Sequence, residues 1–298
     1  MCAKLRKVGT GRSAEPCWKD GILLFQGKLR TMQMIERDTA CRLPKADFSK
    51  QTDNMPHVSG AELDSYAEAV AEAADPGCLS RFPDAVDLRK VFHALPGWHF
   101  RSGYLSSDAT ILGMTVFQEG TLLLADAEHG SRVAVPVKAH TILADKRIIT
   151  PEREPTYRFT IGHEIGHALL HEPFFRKPEN QKLYAEQSRE YLTVLIDSRE
   201  TMEKAKPREL RTQRDWVEWQ ANAFSSALLM PRTLVREAVR RTDRGGRDAE
   251  AGLLCIDARI EAVCLCFRVS PSAALYRLQH LRLIPRNIRW GAHGPVRI

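Results

Sequence analysis

The spacing of apolar positions changes along the chain, and each change marks an element. Residues 1–56 have no sustained period and are rich in Lys, Arg, Asp and Thr, which predicts a mostly irregular tail. Ser59 to Ala74 follows helical spacing. Ser59 and Glu62 form a capping-box pattern, Leu63, Tyr66 and Val70 share a face, and Asp75-Pro76-Gly77 stops the run. A second, shorter helix is expected from Asp84 to Ala94, with Val86, Leu88, Val91 and Phe92 apolar and Pro96-Gly97 after it. From Trp98 to Thr150 the pattern becomes that of strands. Thr110–Gln118, Thr121–Ala125, Arg132–Val137 and His140–Ile149 are short β-branched runs, and Glu119-Gly120 and His129-Gly130 read as hairpin turns.

Helical spacing then returns. Residues 158–171 and 216–230 are apolar on one face and polar on the other. The spacer between them, Glu172 to Arg214, opens with Pro173-Phe174-Phe175 and continues as a charged helical stretch striped by Tyr184, Tyr191, Leu192, Leu195 and Ile196. Core packing and a substrate-covering lid are both open to it. After Met230-Pro231, Arg232–Arg241 reads as a helix, followed by a loop at Asp243-Arg244-Gly245-Gly246. Residues 260–278 have the cadence of a helix-turn-helix, with Ser270 as N-cap of the second helix. A structural helical pair is the leading expectation there. DNA reading would require that helix to present Ser272, Tyr276, Arg277 and Gln279 to a groove.

The chemistry concentrates in His163-Glu164-Ile165-Gly166-His167. On a helix, His163 and His167 lie about 40° apart around the axis and ~6 Å apart along it, so two imidazoles can converge on one ion. Such a pair suits Zn²⁺. Glu164 lies beside the ion, where a carboxylate can take a proton from a water. Ile161, Ile165 and Leu169 occupy the opposite face, so one side of the helix is expected in a core and the other in a cleft. Gly166 costs about 1 kcal/mol of helix stability against alanine and so implies a close neighbour. His171 lies about 12 Å along the helix from His163 and cannot share the ion. A supporting role and a solvated helix end both remain open to it.

A zinc enzyme takes a third protein ligand and keeps a position for water. The best candidate is Glu218, with Asn222 one turn later to support a ligand. The competing reading makes Asp215 the N-cap of that helix and Glu218 its capping-box partner. If the metal-activated water attacks a carbonyl, the oxyanion of the tetrahedral intermediate needs a donor, and Tyr157, His171, Tyr184, Tyr191 and Arg214 qualify by chemistry.

Arg158-Phe159-Thr160-Ile161-Gly162-His163-Glu164-Ile165-Gly166-His167-Ala168-Leu169-Leu170-His171, followed by Glu218-x-x-Ala221-Asn222-x-Phe224 and Leu228-Leu229-Met230-Pro231, resembles the ImmA/IrrE family of bacterial metallo-endopeptidases. The resemblance spans roughly residues 84–285, with a longer spacer and an extra strand pair before the first motif. It implies one zinc per chain held by His163, His167 and Glu218, with Glu164 as general base. The implied substrate is a helix-turn-helix repressor, whose cleavage turns on mobile-element, prophage or stress-response genes.

Composition narrows the rest. No apolar run reaches 18 residues, so no membrane span is expected. Gly21–Phe25 is too short for a signal-peptide core, and Met32, Met34 and Met55 leave a downstream start open. Seven scattered cysteines point to a reducing cytoplasm, with Cys264 and Cys266 read as buried thiols. The net charge of +7 permits an acidic partner without demanding one. Together these features predict an α+β, zincin-like fold: a small twisted sheet packed on a zinc-binding helix pair, with a C-terminal helical region. The expected divisions are 1–56, 57–231 and 232–298. The expected activity is that of a gluzincin-like zinc endopeptidase. The alternative is a non-catalytic zinc-containing regulatory or DNA-binding protein. Zinc over Mn²⁺ or Co²⁺ rests on ligand type and availability.

Overall fold

The helix expected after Ser59 forms as α1 (Gly60–Ala74), and its capping box closes as the sequence implies, with the Ser59 amide donating to Glu62 Oε2 at 2.7 Å. The computed structural model describes residues 17–19, 22–24, 43–46, 51–52, 55–126, 131–175, 177, 180, 213–245, 252–291 and 294–297. Two compact units result, Met1–Thr39 and Ala40–Ile298. The first contains an antiparallel pair, β1 (Cys17–Lys19) with β2 (Ile22–Leu24). The second begins with a two-residue ladder, β3 (Gln51–Thr52) with β4 (Met55–Pro56).

The second expected helix is shorter than its apolar pattern. α2 runs Leu88–His93, because the Asp87 side chain accepts from the Arg89 amide and caps the helix there. Five strands follow: β5 (His99–Gly103), β6 (Gly113–Val116), β7 (Gly120–Ala125), β8 (Arg132–Val137) and β9 (Thr141–Asp145). They make a three-stranded sheet in the order β5-β9-β6 and a separate β7-β8 ladder. β9 is central and buried at every position, parallel to β5 and antiparallel to β6. The expectation of a hairpin turn at Glu119-Gly120 is corrected: β6 pairs with β9, and β7 pairs with β8. His129-Gly130 lies outside the described residues, although Asp126 donates to the Ser131 carbonyl at 2.9 Å across that end of the ladder.

The helical half comprises α3 (Glu154–Leu170), α4 (Glu172–Phe175), α5 (Gln213–Leu229), α6 (Arg232–Gly245), α7 (Gly252–Phe267) and α8 (Pro271–His280), ending in an antiparallel pair, β10 (Ile288–Gly291) with β11 (Gly294–Arg297). α6 continues to Gly245, through the loop expected at 243–246. Ser270 caps α8 as expected. The apolar stripe expected at Tyr184–Ile196 lies outside the described residues. One continuous core joins Leu63, Ile142, Ile165, Phe224, Val235, Ile260 and Leu278, so the C-terminal helices share the core of α1, α3 and α5. The mixture of helices with a small sheet agrees with the coarse expectation. Among the described residues no helix is long and apolar enough to cross a membrane. Cys264 and Cys266 lie on α7 and are half-buried rather than buried.

Two contacts fix how α5 sits. First, a Cβ on Gly166 would stand 3.2 Å from Ala221 Cα, and one on Gly162 would stand 2.6 Å from Ser225 Oγ, so the glycines let α3 and α5 approach closely. Second, the end of α5 is clamped by charged groups on α1. Buried Arg277 donates through Nε to the Met230 carbonyl at 2.9 Å and pairs with Asp64 at 2.5 Å. Glu68, one turn after Asp64, accepts from the Thr233 amide at 2.8 Å and from Arg232 Nε at 2.9 Å. Arg277 is therefore occupied inside the protein rather than offered to a groove, and the Gln279 amide donates to the Ile288 carbonyl at 2.7 Å.

A Gly166→Val chain is expected to lose about 1–3 kcal/mol through overpacking against Ala221, read as a lower denaturant midpoint. Arg277→Met leaves Asp64 buried with its main partner gone and is expected to cost about 3–5 kcal/mol, most of which returns in the Asp64→Leu/Arg277→Met double variant.

Candidate metal centre

α3 presents His163 and His167 one turn apart, and their Nε2 atoms meet at 2.8 Å. α5 brings Glu218 against them, with Oε2 3.3 Å from His163 Nε2 and Oε1 3.6 Å from His167 Nε2. A tetrahedral ion with bonds of ~2.0–2.1 Å places its ligand atoms about 3.3–3.4 Å apart. The three separations bracket that value. Two neutral-capable imidazoles and a carboxylate are also a suitable donor set for a divalent cation. Among the described residues this is the group of His, Cys, Asp and Glu side chains able to hold a metal ion.

The competing reading of Glu218 fails on helix position. α5 begins at Gln213, so Asp215 lies inside the helix and cannot be its N-cap. Asn222, one turn beyond Glu218, stands with Oδ1 3.0 Å from His163 Nδ1. An amide oxygen only accepts, so His163 Nδ1 carries the proton and its Nε2 faces Glu218. His171 is the C-cap of α3 and fully buried, which removes the solvated reading. Its Nδ1 lies 3.0 Å from His167 Nδ1 and its Nε2 3.0 Å from Gln220 Oε1, while the Gln220 amide donates to the Pro56 carbonyl.

Glu164 points toward the sheet edge. Its Oε2 lies 2.6 Å from the Thr115 hydroxyl on β6. A Cβ on Gly113 would stand 2.6 Å from Glu164 Oε1 and 2.5 Å from Thr160 Cγ2, so glycine is needed for β6 to come this close. The expected division of α3 into a core face and an open cleft face does not hold: Ile161, His163, Glu164, Ile165 and His167 are all buried. The polar face is covered by α5 and β6, and its groups are hydrogen-bonded to one another there.

Burial sets the proton affinities. It pushes the Glu164 carboxyl up to about 7, against the lowering influence of His163 and of the Thr115 hydroxyl. Burial pulls His171 down to about 4 and His167 well below the usual histidine value. Burial also opposes charge on His163, but the Glu218 carboxylate outweighs it and holds that ring above the usual value. The same negative charge favours a cation between these atoms.

Sequence reasoning brought together His163, Glu164, His167, Glu218, Asn222 and His171, and all six lie at this site. It missed Thr115, Gly113 and Gln220. Gln220 carried a signal, because it falls with Val217, Ala221 and Phe224 on the buried stripe of α5, where a polar residue calls for a partner. Thr115 carried none, since it meets Glu164 across 49 residues of sequence. Of the oxyanion candidates, His171 is committed to His167 and Gln220. Tyr157 is half-buried, Tyr184 and Tyr191 lie outside the described residues, and so does the Arg214 side chain.

No protein-family model matches the sequence, and no curated protein matches it. The geometry itself makes a prediction. The chain is expected to take up one divalent ion, measured by titration against a chromophoric chelator. His163→Ala, His167→Ala and Glu218→Ala should each weaken binding by more than the about 10–100-fold typical of losing a supporting partner, and Asn222→Leu should fall within that range.

Proposed function

We propose that this chain is a zinc-dependent endopeptidase with a zincin-like site of the ImmA/IrrE kind. The observation that carries the reading is the convergence of His163, His167 and Glu218 with a buried Glu164 carboxylate beside them. A zinc ion held there supplies Lewis acidity toward a carbonyl oxygen and acidifies water. Glu164 accepts the proton of the attacking water and returns it to the leaving amine nitrogen. Thr115 holds Glu164 Oε2 in place, and Asn222 holds His163 with Nε2 inward.

The sheet supplies a place for the peptide. β6 pairs with β9 on one side and, among the described residues, with no strand on the other. It passes Glu164 through Gly113 and Thr115, so an extended substrate added to this edge by backbone hydrogen bonds brings its carbonyls past the base. A structural zinc site takes four protein ligands and has no use for a carboxylate base. The described group has three donors and the base.

The substrate class follows from the sequence resemblance: a helix-turn-helix repressor, cleaved to release mobile-element, prophage or stress-response genes. Cys78, Cys255, Cys264 and Cys266 are free thiols, which suits a reducing compartment. The burial of Arg277 weighs against a DNA-reading role for α8.

The test is cleavage of a helix-turn-helix repressor encoded beside this protein, with wild type and Glu164→Gln side by side and zinc content measured on both. Wild type is expected to cut. Glu164→Gln should retain zinc and lose about 10²–10⁴-fold in rate. Zinc in both samples with no cleavage would shift the reading to a non-catalytic regulatory module.

A further inference from the structure

We propose that His171 and Gln220 are positioning residues that hold His167 in the tautomer able to bind a metal, through a hydrogen-bond chain ending on the Pro56 carbonyl. The inference rests on the reading of His163, His167 and Glu218 as a metal centre. Its own basis is the direction of the chain. The Pro56 carbonyl can only accept, so the Gln220 amide nitrogen donates to it. Gln220 Oε1 then faces His171 Nε2 at 3.0 Å, and that nitrogen must be the donor. His171 is fully buried against uncharged partners, so the ring is neutral and its Nδ1 is the acceptor. His167 Nδ1, 3.0 Å away, therefore carries a proton, and its Nε2 lone pair is left toward His163 and Glu218. Reversing any one link would leave two donors or two acceptors facing each other in a buried site, which is costly.

The chain also joins separate parts of the sequence. It starts on α3, crosses to α5, and ends on the backbone of β4, ahead of the Ser59 cap of α1. His163 is held independently, by Asn222. That gives an internal control: loss of His171 should release His167 and leave His163 unchanged.

The experiment uses the full chain. Zinc affinity is measured by chelator competition for wild type, His171→Leu, His171→Asn and Gln220→Leu. The protonated nitrogen of each imidazole is read by ¹⁵N NMR on the same proteins after metal removal. Wild-type His167 is expected to be protonated on Nδ1. His171→Leu should lose that preference and about 10–100-fold in zinc affinity, with His163 unaltered. His171→Asn offers a carbonyl to the His167 Nδ1–H and should recover part of the affinity. Gln220→Leu should weaken binding less than His171→Leu. If His171→Leu does not fold, the His171→Asn and Gln220→Leu proteins carry the test. Affinities for all folded variants within about threefold of wild type, below that range, would overturn the proposal. So would a wild-type His167 protonated on Nε2. A wild type that takes up no zinc would overturn the metal centre itself and the proposal with it.

Discussion

The close packing of α5 on α3 is the constraint on which the site depends. Two imidazoles on α3 cannot complete a metal centre, and Glu218 reaches them only because the helices approach within a glycine's reach. Side chains at 162 or 166 would meet Ser225 and the Ala221 backbone. Each glycine costs its helix about 1 kcal/mol against alanine. The packing across this junction offsets that cost, since Ile165, Ala221 and Phe224 are buried in the main core. A shift of α5 by even an ångström would change the 3.3 and 3.6 Å separations of Glu218 from the two imidazoles, which stay 2.8 Å apart on α3.

The second requirement is that a site buried this deeply keep its polar groups satisfied. His163, Glu164, His167 and His171 all lie in a low-dielectric interior, where an unpaired polar group costs several kcal/mol. Each has a named partner: Asn222, Thr115, His171 and Gln220 in turn. Charged pairs do most of the corresponding work at the far end of α5, although Arg277 Nη2 is buried there without a hydrogen-bond partner. There, Asp64 and Glu68 on α1 pair with Arg277 and Arg232, and Arg277 also binds the Met230 carbonyl. The clamp contributes no chemistry. It fixes the end of the helix that carries Glu218 and binds α6 and α8 into the body of the protein.

The small sheet divides its work along similar lines. β9, buried at every position, anchors it, while β6, beside Glu164, has a strand on one side only among the described residues. A free edge exposes unpaired backbone groups, which proteins otherwise protect. Here it lies against Glu164, and under the proposed function an extended peptide would pair with it.

The sequence by itself determined the local elements and the identity of the candidate metal-binding groups. The capping box of Ser59 and Glu62, the Ser270 cap, and the one-turn spacing of His163 and His167 act within a few residues, so period and composition suffice to read them. The roles of Glu218 and His171 were left between alternatives, because a glutamate near a helix start and a histidine near a helix end have ordinary local explanations. Tertiary structure removed both: α5 starts before Asp215, and His171 is enclosed. Thr115 on Glu164, Gln220 on His171 and the parallel pairing of β5 with β9 join segments about 40 to 50 residues apart. Such contacts are set by how helices and sheet pack, and no local pattern encodes them.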